Sequence, residues 1–492
     1  MKFLLYYLFM GLSYEELESK LAKIIADLIQ TKELLKKTLE ENLSLKDLLK
    51  NALEEIASLK EQLNKNSNNS SKPPSTDYKQ NTLDKPQKRR EKRKGINRPF
   101  FSKEQIDKRI KCSLKNCPHC GSSSIKDLST FNILQQVELP KVKATITEYI
   151  RKKYYCHSCK SSSFAKLPKG IPNSSFGPRL MGLTSTLTGV FHLAKREAIQ
   201  LVKDLYNVDI GLGSIPNIEE RVSAALDPYY QKIHEFVLNS PLTKHFDETS
   251  WRDSGKRHYA WIATCESAAV YMIDRHRNAL ACQKLLKNKN MRNQNYVSDR
   301  YSVYNKIGSK HQYCLAHLIR NFRNFAQRDG PDEKIGESLE KLLAKACFTH
   351  NKYRKGNINL TQRNISLGHT RRKVELYLCD GIANGSDKLS GLCDKLYDNS
   401  YSLWIFKETQ GVEPTNNLAE RDLRKLVIWR KKSYGTRSDR GKSFVERITS
   451  ISQTLRKQKK NVLQFVQQAV AAFYGEKTTI DSIDFEISFL IP

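Results

Sequence analysis

His245-Phe246-Asp247-Glu248-Thr249-Ser250-Trp251 sets two adjacent carboxylates at the end of a stretch that reads as a strand. The two segments that follow, His258–Cys265 (HYAWIATC) and Ala269–Asp274 (AVYMID), are β-branched and aromatic with apolar residues on both faces, the pattern of buried strands. Asp247 is therefore expected where a sheet core delivers a carboxylate to its rim. A second acid, Asp299, follows another short apolar run, Tyr296-Val297-Ser298. A third, Glu420, lies in Asn416-Asn417-Leu418-Ala419-Glu420-Arg421, which reads as a helix. Two strand-borne aspartates and one helix-borne glutamate can converge on a pair of divalent metal ions, the constellation needed for in-line displacement at a phosphodiester. Glu248 ranks below Asp247 because a continuing strand turns it to the opposite side. Glu413 ranks below Glu420 because it sits in a turn, Glu413-Pro414-Thr415.

The interval between Asp299 and Glu420 is longer than a sheet needs. Leu315–Ala326, Asp332–Phe348 and Gln362–Leu378 have helix-compatible patterns, so an inserted helical subdomain is expected there. Cys314 and His317 share a helix face at i and i+3 and lack a second metal-ligating pair, which favours packing beneath the carboxylates over zinc binding. His245 reads as a core or supporting histidine. The amphipathic stretch Lys442–Gly475 (Phe444, Ile448, Ile451, Leu455, then Val462–Phe473) is expected to close the core with helices.

Upstream, Leu21, Leu28, Leu35, Asn42, Leu49, Ile56 and Leu63 recur every seven residues, with Leu17, Ile24, Thr31, Thr38, Leu45, Ala52 and Leu59 as the companion seam. A heptad sustained this long points to a self-associating coiled coil, with Asn42 fixing register; a long amphipathic helix packed on its own chain is the other reading. Asn66–Asp77 (NSNNSSKPPSTD) reads as a linker. Lys85–Lys94 (KPQKRREKRK), with Lys88, Arg89, Arg90, Lys92 and Arg93, is a phosphate-contacting tether or a solubilising tail. Cys117-Pro118-His119-Cys120-Gly121 and Cys156-His157-Ser158-Cys159 are two CxxC elements, which fit one tetrahedral zinc site better than a redox pair or unrelated buried cysteines. Their spacer alternates Val142, Ala144 and Ile146 with Lys143, Thr145 and Thr147, as a hairpin would. From Phe176 to Leu226 two or three short helices are expected, as a helix-turn-helix or a plain spacer.

At 492 residues the chain is long enough for two to four domains. Lys and Arg number 84 against 52 Asp and Glu, a net charge of +32 that calls for a polyanionic partner through counterion release. Basicity alone does not separate DNA from RNA or an acidic membrane. Eleven cysteines, seven of them outside the CxxC pairs, suit a reducing cytosol better than a secreted disulfide framework. Met1–Leu12 is apolar but too short to span a bilayer; a stunted signal segment, a start at Met10 and a dispensable extension all remain open.

Taken in order, these pieces resemble a bacterial transposase of the insertion sequence 66 family. The resemblance rests on the leucine-rich first helix, Asn69–Ser75 (NSSKPPS), the split cysteine module, Asp247-Glu248-Thr249 and Ser298-Asp299-Arg300-Tyr301 leading to Tyr304-Asn305. It continues through Cys314-Leu315-Ala316-His317-Leu318, Asn416–Arg424 (NNLAERDLR) and Trp429-Arg430-Lys431. The resemblance implies a multidomain α+β chain: a coiled coil at 13–65, a basic linker at 66–100, a zinc-binding module at 101–170 and a helical, DNA-binding region at 171–235. A ribonuclease H-like catalytic domain would follow at 236–460, with a helical insertion at about 315–405, then a C-terminal helical segment at 461–492. It also implies that Asp247, Asp299 and Glu420 form the acidic triad, binding Mg2+ or Mn2+, and that the protein cleaves the ends of an element and joins the 3′ ends to target DNA. Arg300 departs from the small residue usual there and adds positive charge beside the metal site. Arg421, Arg424 and Arg430 become candidates for DNA contact. The implied partners are double-stranded DNA, a second copy through the coiled coil and accessory proteins of the element, with no membrane, in the cytoplasm on the nucleoid. Two rivals share these features: an inactive zinc-containing DNA-binding regulator, and a ribonuclease H-like nuclease without strand transfer.

Overall fold

The structure is a computed structural model that describes residues 13–64, 100–128 and 132–476. Met1–Leu12, the Asn66–Asp77 linker and the basic run with Lys88, Arg89, Arg90, Lys92 and Arg93 lie outside the described residues. Among the described residues no helix is long and apolar enough to cross a membrane.

The first helix, α1 (Tyr14–Asn64), runs for 51 residues without a glycine or proline. Ser13 starts it with a reciprocal cap: the Glu16 N–H donates to Ser13 Oγ at 3.3 Å and the Ser13 N–H donates to the Glu16 carboxylate at 3.0 Å. Its seam residues Leu21, Ile24, Leu28, Leu35, Leu45, Leu49, Ile56 and Leu59 are exposed, so the reading of a helix packed on its own chain is not met. Asn42 bonds back to the Thr38 carbonyl at 3.0 Å.

The remainder divides into two compact units, one built on Asp227–Lys460 and the other on 100–226 with 461–476. In the smaller, β1 (Lys153–Cys156) and β2 (Ser161–Phe164) form an antiparallel hairpin whose turn includes Lys160 at φ 55°. The hairpin expected around Val142–Thr147 does not form; 132–152 carries no strand. Both faces of that alternating stretch are exposed, so its pattern has no apolar surface to pack on. α2 (Pro178–Gly189), α3 (Lys195–Tyr206) and the first half of α4 (Ser214–Asn239) follow; from Asp227 on, α4 belongs to the larger unit. Asn207, left-handed at φ 51°, ends α3, and Pro216 falls in the first turn of α4, where its missing N–H costs nothing.

The larger unit is a five-stranded sheet wrapped by helices. A meander of β3 (Lys244–Asp253), β4 (Lys256–Thr264) and β5 (Ala269–Asp274) is antiparallel, and β6 (Tyr296–Ser298) and β7 (His311–Tyr313) continue it in parallel, in the order β5-β4-β3-β6-β7. The β3–β4 turn is Ser254-Gly255 with both φ angles positive, 49° and 75°, the tight turn whose twist matches a hairpin. A helical insertion then departs from the sheet: α5 (Ala279–Leu285) precedes it, and α6 (Leu315–Phe325), α7 (Pro331–Arg354), α8 (Leu360–Asn384), α9 (Asp387–Asp398) and α10 (Ile405–Glu408) build it. Its core of Leu318, Phe322, Leu339, Leu343, Leu367, Trp404 and Phe406 is continuous with Val297 and Tyr313 of the sheet. The chain returns through α11 (Asn417–Ser433) and α12 (Asp439–Lys457), which pack on β3–β5.

α13 (Val462–Phe473) corrects one expectation. It does not close the core of the sheet but packs on α2 in the smaller unit, where a Cβ on Gly182 would stand 2.7 Å from Gln467. α12 packs on the edge strand and meets it with polar groups. The N–H groups of Ala269, Tyr271 and Ile273 donate to Thr454 Oγ1 at 3.1 Å, Ser450 Oγ at 2.9 Å and Glu446 Oε1 at 2.6 Å. Four helical residues rise about 6 Å and two strand residues about 6.6 Å, so a helix can match every second N–H of an edge and satisfy donors that burial would otherwise orphan. Burial raises the Glu446 carboxyl to about 7. A carboxyl raised in the folded state contributes stability at low pH that is lost as pH climbs through about 7. Glu446→Gln keeps the acceptor and removes the buried charge. Thermal melts should show it a few degrees more stable than wild type at pH 8, with the difference vanishing below pH ~4.5.

Candidate active site

Parallel pairing of β3 with β6 sets the geometry. His245 is opposite Val297, so Asp247 and Asp299 each lie two residues beyond a paired position, at one level and on one face of neighbouring strands. Asp247 accepts the Glu248 N–H at 2.9 Å, and Asp299 accepts the Tyr301 N–H at 3.0 Å, which fixes the turn after β6. Glu420 stands in the first turn of α11. The Asp247 carboxyl is pushed well above the usual carboxylate range, chiefly by burial and then by the charges of Glu248, Asp299 and Glu420. The three acids named from the sequence therefore meet in one electrostatic field.

Two cationic or potentially cationic neighbours of Glu420 come from α6. Arg320 donates to Glu420 Oε1 at 3.2 Å, and His317 Nδ1 lies 3.6 Å from the same oxygen. Burial, then Arg320, lowers the His317 imidazole below its ordinary range, which keeps it neutral. Cys314, His317 and Glu420 place ligand atoms within 4.8 Å of one another. Cys314 is buried beneath the site as expected, and burial raises its thiol to about 11. His317 departs from the expectation: it faces Glu420 and is not mere packing. Its i, i+3 spacing from Cys314 and the further step of three to Arg320 were the available signal that one helix face points at the acids.

Glu248 serves the loop that carries Asp299. Its carboxylate is 2 % exposed, takes two bonds from Arg277 at 2.6 and 2.8 Å, and accepts the Tyr304 hydroxyl. Arg277 lies over the Tyr301 ring at 4.3 Å, and the Tyr301 hydroxyl donates to the Arg277 carbonyl at 2.6 Å. This chain ties β3 to the turn carrying Asp299; Arg277 was missed in the sequence because nothing local marks it. Glu413 stands apart from the triad, paired with Arg354 at 3.0 Å and near His350 at 3.7 Å.

Arg300 is half-buried beside Tyr313 and Asp299, and its Nη1 has no protein partner. Arg421 and Arg424 are exposed on α11. Arg430 bonds instead to Ser250 and to Thr249 Oγ1, which makes it a tie between α11 and β3.

In the cysteine module each CxxC is a turn. The Cys117 N–H donates to the Ser122 carbonyl at 2.8 Å, the Gly121 N–H to the Cys117 carbonyl at 2.8 Å, and Gly121 takes φ +77°. Hydrogen bonds from the His119 and Cys120 backbone lower the Cys117 thiol, and Ser161, then Cys156, lower Cys159. Among the described residues no three of the four thiols come within 4.8 Å of one another. Two thiolate-favouring turns supply a zinc donor set, and drawing the pairs together is work that ion binding does in such modules.

The family comparison decides the assignment. The model described as transposase IS66 family matches residues 173–443, more than half of the chain and all three acids. The chain belongs to the transposase IS66 family. The zinc-finger binding domain of transposase IS66 matches residues 115–160, spanning Cys117, Cys120, Cys156 and Cys159, and a family of unknown function matches residues 14–100. No curated protein matches it. This transposase carries a zinc-finger domain, and Cys117, Cys120, Cys156 and Cys159 lie within it, as do His119 and His157. Three carboxylates are an oxygen donor set of the kind a divalent metal takes, though among the described residues their oxygens are not within 4.8 Å of one another, and Arg320, Arg277 and Arg300 stand beside them.

Two outcomes follow. Metal analysis of reduced, freshly purified transposase should find about one zinc per chain, lost in Cys117→Ser. Because burial makes ionising Asp247 costly in the folded state, Asp247→Asn should raise the melting temperature by a few degrees at neutral pH without added Mg2+; an unchanged or lower value there would contradict that cost.

Proposed function

We propose that this transposase cleaves the ends of a mobile DNA element and joins the freed 3′ ends to target DNA at a site made by Asp247, Asp299 and Glu420. What supports the reading is the register that sets Asp247 and Asp299 each two residues past the paired positions His245 and Val297, with Glu420 in the first turn of α11 and its charge felt at Asp247. Three antiparallel strands continued by two parallel ones, with helices inserted before the third acid, support a ribonuclease H-like reading of the core.

Mg2+ or Mn2+ held by the three carboxylates would supply the positive charge that phosphoryl transfer requires and would ease deprotonation of the attacking hydroxyl or water. The protein's own residues do the rest. Arg320 neutralises Glu420, and the Glu248–Arg277–Tyr301 chain holds the Asp299 turn in place. Arg421 and Arg424 face solvent on the helix that bears Glu420 and are assigned to DNA phosphates. Arg430 is assigned to positioning α11. The helices of 171–235 and the basic run would add sequence-independent grip on double-stranded DNA. The exposed seam of α1 supports a coiled coil between copies. Such work places the protein in the cytoplasm on the nucleoid.

With element-end DNA and Mg2+, Asp247→Asn, Asp299→Asn and Glu420→Gln should each reduce cleavage by roughly 10^3-fold or more. Wild-type cleavage by any one of them removes that residue from the triad, and cleavage without joining by the wild type leaves the nuclease reading.

A further inference from the structure

Asn416 immediately precedes α11, in the position where an asparagine ordinarily caps a helix by accepting a backbone N–H two or three residues on. It makes no such cap bond. Its side chain, 1 % exposed, reaches across to β3 instead: Nδ2 donates to the Phe246 carbonyl at 2.7 Å and Oδ1 lies 3.1 Å from His245 Nδ1. A carbonyl only accepts, so the amide orientation is fixed, and Oδ1 requires a proton on His245 Nδ1.

The backbone of Asn416 is occupied too. Its N–H donates to Cys314 Sγ at 3.1 Å, and its carbonyl accepts the Glu420 N–H at 3.1 Å. Cys314 in turn donates its N–H to the Ser298 carbonyl at 2.9 Å, and Leu315 donates to the Pro414 carbonyl at 2.9 Å. One residue therefore joins the strand just before Asp247, the segment bonded just before Asp299 and the turn that bears Glu420.

We propose that Asn416 is the positioning residue that assembles the three carboxylates into one divalent-metal site, spending its capping group on β3 to do so. This deepens the functional reading above and rests on it. Far-apart stretches of chain reach the site, and Asn416 is where their hydrogen bonds meet; a helix start capped by its own asparagine would leave the distance between Glu420 and Asp247 unset.

The test uses the full-length protein and Mn2+ alone as the probe, with binding followed by electron paramagnetic resonance and, separately, cleavage of element-end DNA against Mg2+ concentration. Asn416→Ala should weaken Mn2+ binding at least tenfold and raise the half-saturating Mg2+ at least tenfold, with cleavage recovering toward wild type at high metal. His245→Gln, which loses only the imidazole contact, should shift both readouts the same way by less. If Asn416→Ala does not fold, Asn416→Asp, which keeps the size and the acceptor but loses the donor to Phe246, carries the same expectations. A lower melting temperature with wild-type metal affinity in the folded protein would mean a purely structural role and overturn the proposal. Glu420→Gln runs alongside. If it binds metal and cleaves like wild type, the triad itself fails; if it loses both while Asn416→Ala and His245→Gln keep wild-type affinity, only the assignment of Asn416 fails.

Discussion

The parallel pairing of β3 with β6 is the constraint on which the larger unit turns. With His245 opposite Val297, Asp247 in β3 and Asp299 just past the end of β6 each follow a paired position by two residues. Burial, and then the charges of Glu248, Asp299 and Glu420, push the Asp247 carboxyl upward. The fold tolerates this because everything around the pair is overdetermined. β4 pairs along the length of β3, the Glu248–Arg277–Tyr301 chain pins the Asp299 turn, and Asn416 and Arg430 fasten α11 to the strand.

The helical insertion and the edge cover solve problems that a small mixed sheet creates for itself. β6 and β7 are only three residues each, too short to hold a sheet edge alone. Their inward residues Val297 and Tyr313 are buried by α6–α10, so the insertion supplies the core those strands lack. At the other edge, α12 answers the strand's free N–H groups with Thr454, Ser450 and Glu446, a polar match more specific than an apolar helix face would give. The insertion also brings the Arg320 guanidinium and the neutral His317 imidazole to Glu420.

Much of this was legible in the chain itself. The strands at Ala269–Asp274 and Tyr296–Ser298 were marked by aromatic and β-branched runs, and α1 by its heptads and its lack of glycine and proline. The acids announced themselves by standing at the ends of such runs. What remained hidden was long-range. Nothing near Arg277 or Asn416 in sequence states that one will hold Glu248 and the other Phe246, because those partners lie 29 and 170 residues away. The alternation at Val142–Thr147 misled because alternation signals a strand only where one face has something to pack on. The amphipathic pattern of Val462–Phe473 was real, but a pattern says that a face will be buried and not against what; it lies on α2.

The account stands on the three carboxylates closing around a common cation, and diffraction can address that directly. Crystals of the full-length protein soaked in Mn2+, measured at an anomalous wavelength, should show manganese bonded to oxygens of Asp247, Asp299 and Glu420, with Glu420 no longer held by Arg320 alone. Manganese found elsewhere, with the three carboxylates still apart and unliganded, would contradict it.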